Sequence, residues 1–158
     1  MKIVIISDTH AQAYQDLPQI LQDEITVADA VIHAGDIGTI PFYKELIEKS
    51  RQLYAVRGNN DMYGMPPEIV ANFEGIKIAI IHSDRARGER CNWLLHYFAQ
   101  ENPDIIIFGH SHRPLLEKLE TQTLINPGSP MQNRGTTYNT FAILTINGKE
   151  FNIEFKEC

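Results

Sequence analysis

The chain has 158 residues, 43% of them hydrophobic, which is enough to bury one sizeable core and gives no reason for a second; a single domain over 1–158 is expected. A formal net charge of −6 excludes holding nucleic acid by a broad basic surface, because that attraction needs clustered Lys and Arg. The opening apolar run stops at Ser7-Asp8, too soon for a signal segment or a membrane span, and Cys91 and Cys158 are poor material for a disulfide framework, so a reducing cytoplasm is the expected compartment.

Lys2 to Ile6 is near-continuously apolar and β-branched, the pattern of a strand buried on both faces, and it ends at Asp8-Thr9-His10. Tyr14 to Ile25 places Leu17, Ile20, Leu21 and Ile25 at helical spacing, with Pro18 admissible only in the first turn. Asp29 to Ala34 predicts a second strand ending at Gly35-Asp36. Pro41 to Arg51 predicts a helix faced by Phe42, Leu46 and Ile47, and Leu53 to Arg57 a third strand ending at Gly58-Asn59-Asn60-Asp61. This β-α-β-α-β run implies right-handed crossovers and parallel strands, so the three polar clusters share one edge of a sheet.

The pattern changes at Met65-Pro66-Pro67, after which Ile69 to Phe73 and Ile76 to His82 predict a hairpin joined at Glu74-Gly75. Glu89 to Gln100 carries Trp93, Leu94, Tyr97 and Phe98 in helical register. Pro103 stops that helix, and Asp104 to Phe108 is a buried strand ending at Gly109-His110-Ser111-His112. Strands near Leu115 to Leu119 and Thr123 to Ile125 precede Asn126-Pro127-Gly128-Ser129. Asn139 to Ile146 and Glu150 to Lys156 flank Asn147-Gly148, a two-residue hairpin signal. The predicted class is α/β: a two-sheet β-sandwich flanked by helices, with parallel strands first and antiparallel strands later.

Asp8, His10, Asp36, Asn59, His82, His110 and His112 all fall at or just past predicted strand ends, where α/β folds collect ligands. Carboxylate, amide and imidazole donors without thiolate suit Mn²⁺, Fe²⁺, Co²⁺, Ni²⁺ or Zn²⁺. Seven donors exceed what one tetrahedral ion uses and suit two divalent ions sharing one carboxylate, with Asp36 the natural bridge. Asp8 and His10, like His110 and His112, are two residues apart, so in extended backbone each pair points to one side. Two such ions attract a phosphate anion locally and lower the pKa of water to about 7, supplying hydroxide for in-line attack without a side-chain nucleophile.

Asp8-Thr9-His10, Gly35-Asp36, Gly58-Asn59, His82 and Gly109-His110-Ser111-His112 stand in the order of the motifs of the calcineurin-like metallophosphoesterases, and the chain resembles that family from Lys2 to about Phe155. Its length, the Asn126-Pro127-Gly128-Ser129 segment and the terminal hairpin resemble the compact YfcE-type phosphodiesterase branch, whose fold also underlies a eukaryotic retromer scaffold subunit. The resemblance implies one metal, Mn²⁺ foremost, held by Asp8, His10, Asp36 and His112, and a second by Asp36, Asn59, His82 and His110. Asp36, Asn59 and Asp61 would serve catalysis, the substrate would be a small or nucleotide-like phosphodiester, no membrane is involved, and homo-oligomers are common. Readings as a scaffold, a monoesterase or a nuclease stand beside it.

Two positions depart from the family. Asn60 stands where many members have a histidine thought to protonate the leaving group, and an amide is no acid at neutral pH; Asp61 could orient Asn60 or a water. Ser83 follows His82 where glycine is commoner. His33 reads as a hydrogen-bonded core histidine and His96 as a structural or surface residue. Arg85, Arg87 and Arg90 read equally as a phosphate clamp or a solvated loop, and Asn126 to Ser129 as a turn or as support for the metal ligands.

Overall fold

A computed structural model of the chain describes residues 1–61 and 64–158. Strand β1 (Lys2–Ile6) leads through α1 (Gln19–Val27) to β2 (Ala30–His33), then through α2 (Ile40–Lys49) to β3 (Leu53–Ala55). The three strands pair in parallel, so the loops after them emerge on one side. Strands β4 (Glu68–Phe73) and β5 (Ile76–Ile81) form the expected hairpin. After α3 (Arg90–Tyr97) come β6 (Ile105–Phe108), β7 (Pro114–Lys118), β8 (Thr123–Pro127), β9 (Thr140–Asn147) and β10 (Glu150–Glu157). The strands make two five-stranded sheets, ordered β10-β9-β1-β2-β3 and β4-β5-β6-β8-β7.

The apolar runs are near-continuous because both faces of each sheet are covered. Ile3, Ile5 and Ile32 meet Ile78, Ile80 and Ile107 between the sheets. Their sequence neighbours Val4, Ile6 and Val31 point outward, under Leu21 and Ile25 of α1 and Phe42 and Leu46 of α2. Leu94 and Phe98 cover Ala79, Ile106 and Phe108 on the outer face of the second sheet. Each such aliphatic side chain contributes roughly 1.5–3 kcal/mol by leaving water, so the layers fix the sheets' relative position.

Three details differ from the sequence reading. The helix expected from Tyr14 to Ile25 is split into a 3-10 turn over Tyr14–Asp16 and α1, with Pro18 at the N-cap. The proline ring pushes the residue before it out of the helical region, and Leu17 is extended at φ −66°, ψ 145°. Parallel pairing is not confined to the first half, since β5, β6 and β8 also run parallel. The terminal hairpin turns at Gly148-Lys149, one residue beyond the expected pair, because Asn147 still pairs with Glu150. Cys91 and Cys158 are free, and burial pushes each thiol up to about 11, which keeps them unreactive. Among the described residues no helix is long and apolar enough to cross a membrane.

Candidate metal centre

All seven expected donors lie on loops at the carboxyl ends of parallel strands. Asp8 and His10 follow β1, Asp36 follows β2 and Asn59 follows β3; His82 follows β5, and His110 and His112 follow β6. The first four come from one sheet and the last three from the other. Both sets meet at the same end of the sandwich: the backbone N–H of His110 donates to Asp8 Oδ2 at 2.9 Å, and His82 Nδ1 lies 2.8 Å from the carbonyl oxygen of Ala34.

The backbone that brings the donors together is not extended, contrary to the pairwise-spacing argument. Asp8, His10, Asp36, His110 and His112 have φ of 55°, 46°, 55°, 72° and 57°. Left-handed backbone at a non-glycine residue costs on the order of 1 kcal/mol or more and persists only where surrounding structure imposes it. Here the loop after β1 is zipped to the loop after β2 by Asp8 N–H to Gly35 O (2.9 Å), His10 N–H to Asp36 O (3.1 Å) and Ala11 N–H to Ile37 O (3.1 Å). Each left-handed kink sends the side chain back over the strand ends.

Two constellations result, each with ligand atoms within 4.8 Å of one another: Asp8, His10 and His112, and Asp8, Asp36 and His82. Asp8 belongs to both, and Asp36 Oδ2 faces both, 3.6 Å from His10 Nε2 and 3.5 Å from His82 Nε2. Asp8 Oδ1 leans to one side, 3.3 Å from His112 Nε2 and 3.9 Å from His82 Nε2. His110 Nδ1 and Asn59 Oδ1 complete the second side, at 3.3 and 3.2 Å from His82 Nε2. The two histidines of the Gly-His-Ser-His segment therefore face different constellations.

Two of the imidazoles, His82 and His112, are held in the tautomer a cation needs. A carbonyl only accepts, so His82 donates Nδ1–H to Ala34 O and His112 donates Nδ1–H to Gln132 O at 2.5 Å, leaving Nε2 as a lone pair aimed inward when the ring is neutral. Asp8 Oδ1 and His10 Nε2 are buried without any hydrogen-bond partner. Buried polar atoms are normally satisfied, and these two orphans converge with the other lone pairs, so the donor set fits divalent cations. Burial pushes the Asp36 carboxyl up, yet the His82 imidazole and the Asn60 N–H groups outweigh it and hold the group below the usual carboxylate range. Burial pushes His82 down, but Asp36 and Asp8 together raise it; His110 is lowered by burial and by His82 and Arg90.

His33 is the core histidine expected. Gly35 N–H donates to its Nδ1 at 3.2 Å, so the proton sits on Nε2, which donates to Thr9 Oγ1 at 2.9 Å; Thr9 in turn donates to Ile37 O at 2.6 Å. This relay joins the loops carrying Asp8, His10 and Asp36. Burial, reinforced by His82, pushes His33 down to about 3. The unfolded chain binds this proton near pH 6.5 and the folded one only near 3, so the neutral ring's contribution is full above pH 6.5 and is lost as pH falls toward 3. Urea unfolding at pH 7, 5.5 and 4 is expected to show His33→Gln losing stability with acidification more slowly than the parent, by up to one proton's slope. Parallel pH profiles would show that the ring is not held neutral.

Asp61 is engaged by backbone N–H groups at the edge of the cleft beside Asn59. Its Oδ1 accepts from the N–H of Ile37 (2.7 Å) and Gly38 (3.3 Å), and its Oδ2 from Gly58 N–H (2.8 Å). It ties the third loop to the second and so holds the loop that carries Asn59. Asn60 clamps Asp36, its backbone N–H on Oδ1 at 2.8 Å and its amide Nδ2 on Oδ2 at 2.7 Å. Ser83 sits at φ 72°, which explains why glycine suits the position. Its hydroxyl donates to Gly109 O at 3.3 Å and accepts from Arg90 at 2.8 Å. Arg90 thus ties the loop together, while Arg87 is exposed.

One supporting residue, Ser7, escaped the sequence reading, and the Asn126 to Ser129 segment supplies two more. Ser7 Oγ donates to Asp8 Oδ2 at 2.7 Å, leaving Asp8 only Oδ1 for a cation, and Ser129 Oγ donates to Asp8 O at 2.8 Å. Asn126 holds Gly109 O at 3.0 Å, the support anticipated for its segment. Ser7 precedes a donor, and that position was the available signal. Beside Asn59 and Ser83 opens a cleft of about 360 Å³, walled by Arg57, Arg85, Trp93 and Tyr97.

A two-sheet sandwich with mixed carboxylate, amide and imidazole donors at one end defines a metallophosphoesterase. A model of the calcineurin-like phosphoesterase superfamily domain matches residues 1–149, and the chain belongs to that superfamily. A probable metallophosphoesterase of Methanocaldococcus jannaschii is 36% identical over 138 residues, covering 82% of this chain and 68% of its own. A phosphodiesterase of the same organism is 28% identical over 163 residues, covering 96% of each chain. A predicted phosphoesterase of Streptococcus pneumoniae superposes with a TM-score of 0.81 at 27% identity, over 99% of this chain and 88% of that one. Vps29 of Entamoeba histolytica, solved with Zn²⁺, superposes at 0.82 over 100% and 98% of the two chains; at 23% identity it bears on the fold alone.

Proposed function

We propose that the chain is a binuclear metal-dependent phosphodiesterase that hydrolyses small or nucleotide-like phosphodiesters. The observation that carries this is the pair of constellations flanking Asp36 Oδ2, with the buried atoms Asp8 Oδ1 and His10 Nε2 left without protein partners. His10, His112 and Asp8 would hold one ion, His82, His110 and Asn59 the other, and Asp36 both. Divalent ions there, Mn²⁺ foremost and Ni²⁺, Fe²⁺, Co²⁺ or Zn²⁺ with the same donors, supply Lewis-acid polarisation of a phosphoryl oxygen and a nucleophile from water at neutral pH.

The chain's own residues do the rest. Ala34 O and Gln132 O fix the histidine tautomers, Ser7 and His110 N–H hold Asp8 to one free oxygen, and Asp61 sets the Asn59 loop. The cleft beside Asn59 offers room for an organic substituent of the phosphate. The relative named as a phosphodiesterase supports the choice of a diester. A scaffold would not need the donors, yet all seven are present and convergent.

The test is hydrolysis of bis(4-nitrophenyl) phosphate and of 4-nitrophenyl phosphate by metal-stripped protein titrated with Mn²⁺, Ni²⁺, Zn²⁺ and Mg²⁺. Diester cleavage that rises to a plateau near two ions per chain, with the monoester at least about tenfold slower, is the expected result. Metal binding at that stoichiometry without cleavage of either compound would give the scaffold reading the stronger case.

A further inference from the structure

The cleft beside the metal donors combines two features that the hydrolytic reading alone does not use. Arg57 and Arg85 line it, and among the described residues neither guanidinium has a carboxylate within ion-pair distance. Two of the carboxylates in its wall are engaged elsewhere: Asp61 accepts three backbone N–H groups, and Glu68 accepts the Tyr97 hydroxyl at 2.5 Å; Asp84 is exposed at the rim. Trp93 stacks on Tyr97, ring centroids 4.8 Å apart and 23° from parallel, and offers an aromatic wall. The cleft thus sets two guanidiniums without carboxylate partners beside a flat aromatic wall.

The same cleft offers little help to an alkoxide. Asn60 is an amide committed to Asp36, and the Tyr97 proton is committed to Glu68. An alkoxide leaving group, with a conjugate acid near the pKa of about 16 of water, needs a proton as it departs. A phosphate leaving group, whose second pKa is about 6, needs none and needs cations instead.

We infer that the attacked phosphorus belongs to a nucleotide pyrophosphate, whose departing phosphate is received by Arg57 and Arg85 and whose base lies against Trp93. This rests on the metal-dependent hydrolysis proposed above. The oxygen of water bonds to phosphorus and the bridging P–O bond breaks. Its electron pair leaves on the second phosphate, and the two protons of water pass to solvent as both products ionise.

Matched dinucleotides separate the leaving groups. A dinucleoside joined 5′ to 5′ by pyrophosphate departs as a nucleotide, and a 3′,5′-linked dinucleoside monophosphate departs as an alkoxide. With Mn²⁺-loaded protein, kcat/KM is expected to be at least about 100-fold higher for the pyrophosphate, the usual size of a missing general acid. Arg85→Gln is expected to lower kcat/KM for the pyrophosphate about tenfold more than for bis(4-nitrophenyl) phosphate. Trp93 is the chain's sole tryptophan, so binding has a readout independent of turnover: ADP should quench its emission saturably in metal-free protein, and more weakly in Arg85→Gln. Equal cleavage of the two dinucleotides, or emission unmoved by ADP, overturns the assignment. Cleavage of the nitrophenyl diester with refusal of both dinucleotides overturns it while leaving the hydrolase reading intact, and failure of all three compounds overturns both.

Discussion

Asp36→Asn is expected to lower metal-dependent hydrolysis by about 10³-fold or more and to reduce bound metal below two ions per chain. One oxygen, Oδ2, lies 3.6 Å from His10 Nε2 and 3.5 Å from His82 Nε2, so it faces both constellations. Removing its charge weakens both ions at once, and a loss of about 4 kcal/mol of transition-state stabilisation corresponds to that factor. The fold should tolerate the change better than the chemistry does, because an amide oxygen can still accept the Asn60 backbone N–H now donated to Oδ1. Elemental analysis after dialysis, alongside nitrophenyl diester turnover and a melting curve, separates the effects. Two ions and near-parental turnover in the variant would end the bridging assignment.

Gly58→Ala should be a strongly damaging small change beside the donors. A Cβ there would lie 2.1 Å from Asp36 Oδ1 and 2.2 Å from the Asp36 backbone nitrogen. A flexible side chain could yield, but that nitrogen belongs to the loop that carries the Asp36 carboxylate. Overpacking of this kind costs about 1–3 kcal/mol and sometimes more, and for a chain of this size 3 kcal/mol corresponds to a Tm lower by roughly 6–12 °C. Calorimetry should show that drop, and metal affinity should fall with it because the Asn59 and Asp36 loops are forced apart. An unchanged Tm would mean that the two loops do not touch as closely as 2.2 Å implies.

The clash also gives the Gly-Asn pair its physical meaning: the glycine leaves room for the Asp36 loop, and the asparagine beside it supplies a donor. The donors are legible in the amino-acid sequence because each apolar run ends in a short polar cluster, and a parallel strand must deliver its loop to the same side as its neighbours. The backbone at Asp8 and His10 is not legible there: alternation along a strand suggests extended spacing, whereas both residues are left-handed because their loop is zipped to residues 35–37. The partners of Asp61 are hidden for a related reason. A carboxylate beside Asn59 looks chemical in sequence, and only the fold shows its partners at Ile37 and Gly38, 24 and 23 residues away. The parallel pairing of β6 with β8 is hidden too, because the chain passes through β7 rather than a helix between them. The Asn60 departure, by contrast, is visible at once, and the structure gives it a job in holding Asp36.

The division of the donors between the sheets has a mechanical consequence. Asp8, His10, Asp36 and Asn59 ride on one sheet and His82, His110 and His112 on the other, and the isoleucines between the sheets set how far apart the two groups stand. Cations bound there would act as rivets across the open end of the sandwich, adding their binding free energy to the resistance against sliding or splaying. The relation runs both ways: a lost methylene at Ile5 or Ile80, far from any phosphate, shifts one jaw against the other, and ligand geometry becomes a readout of core packing.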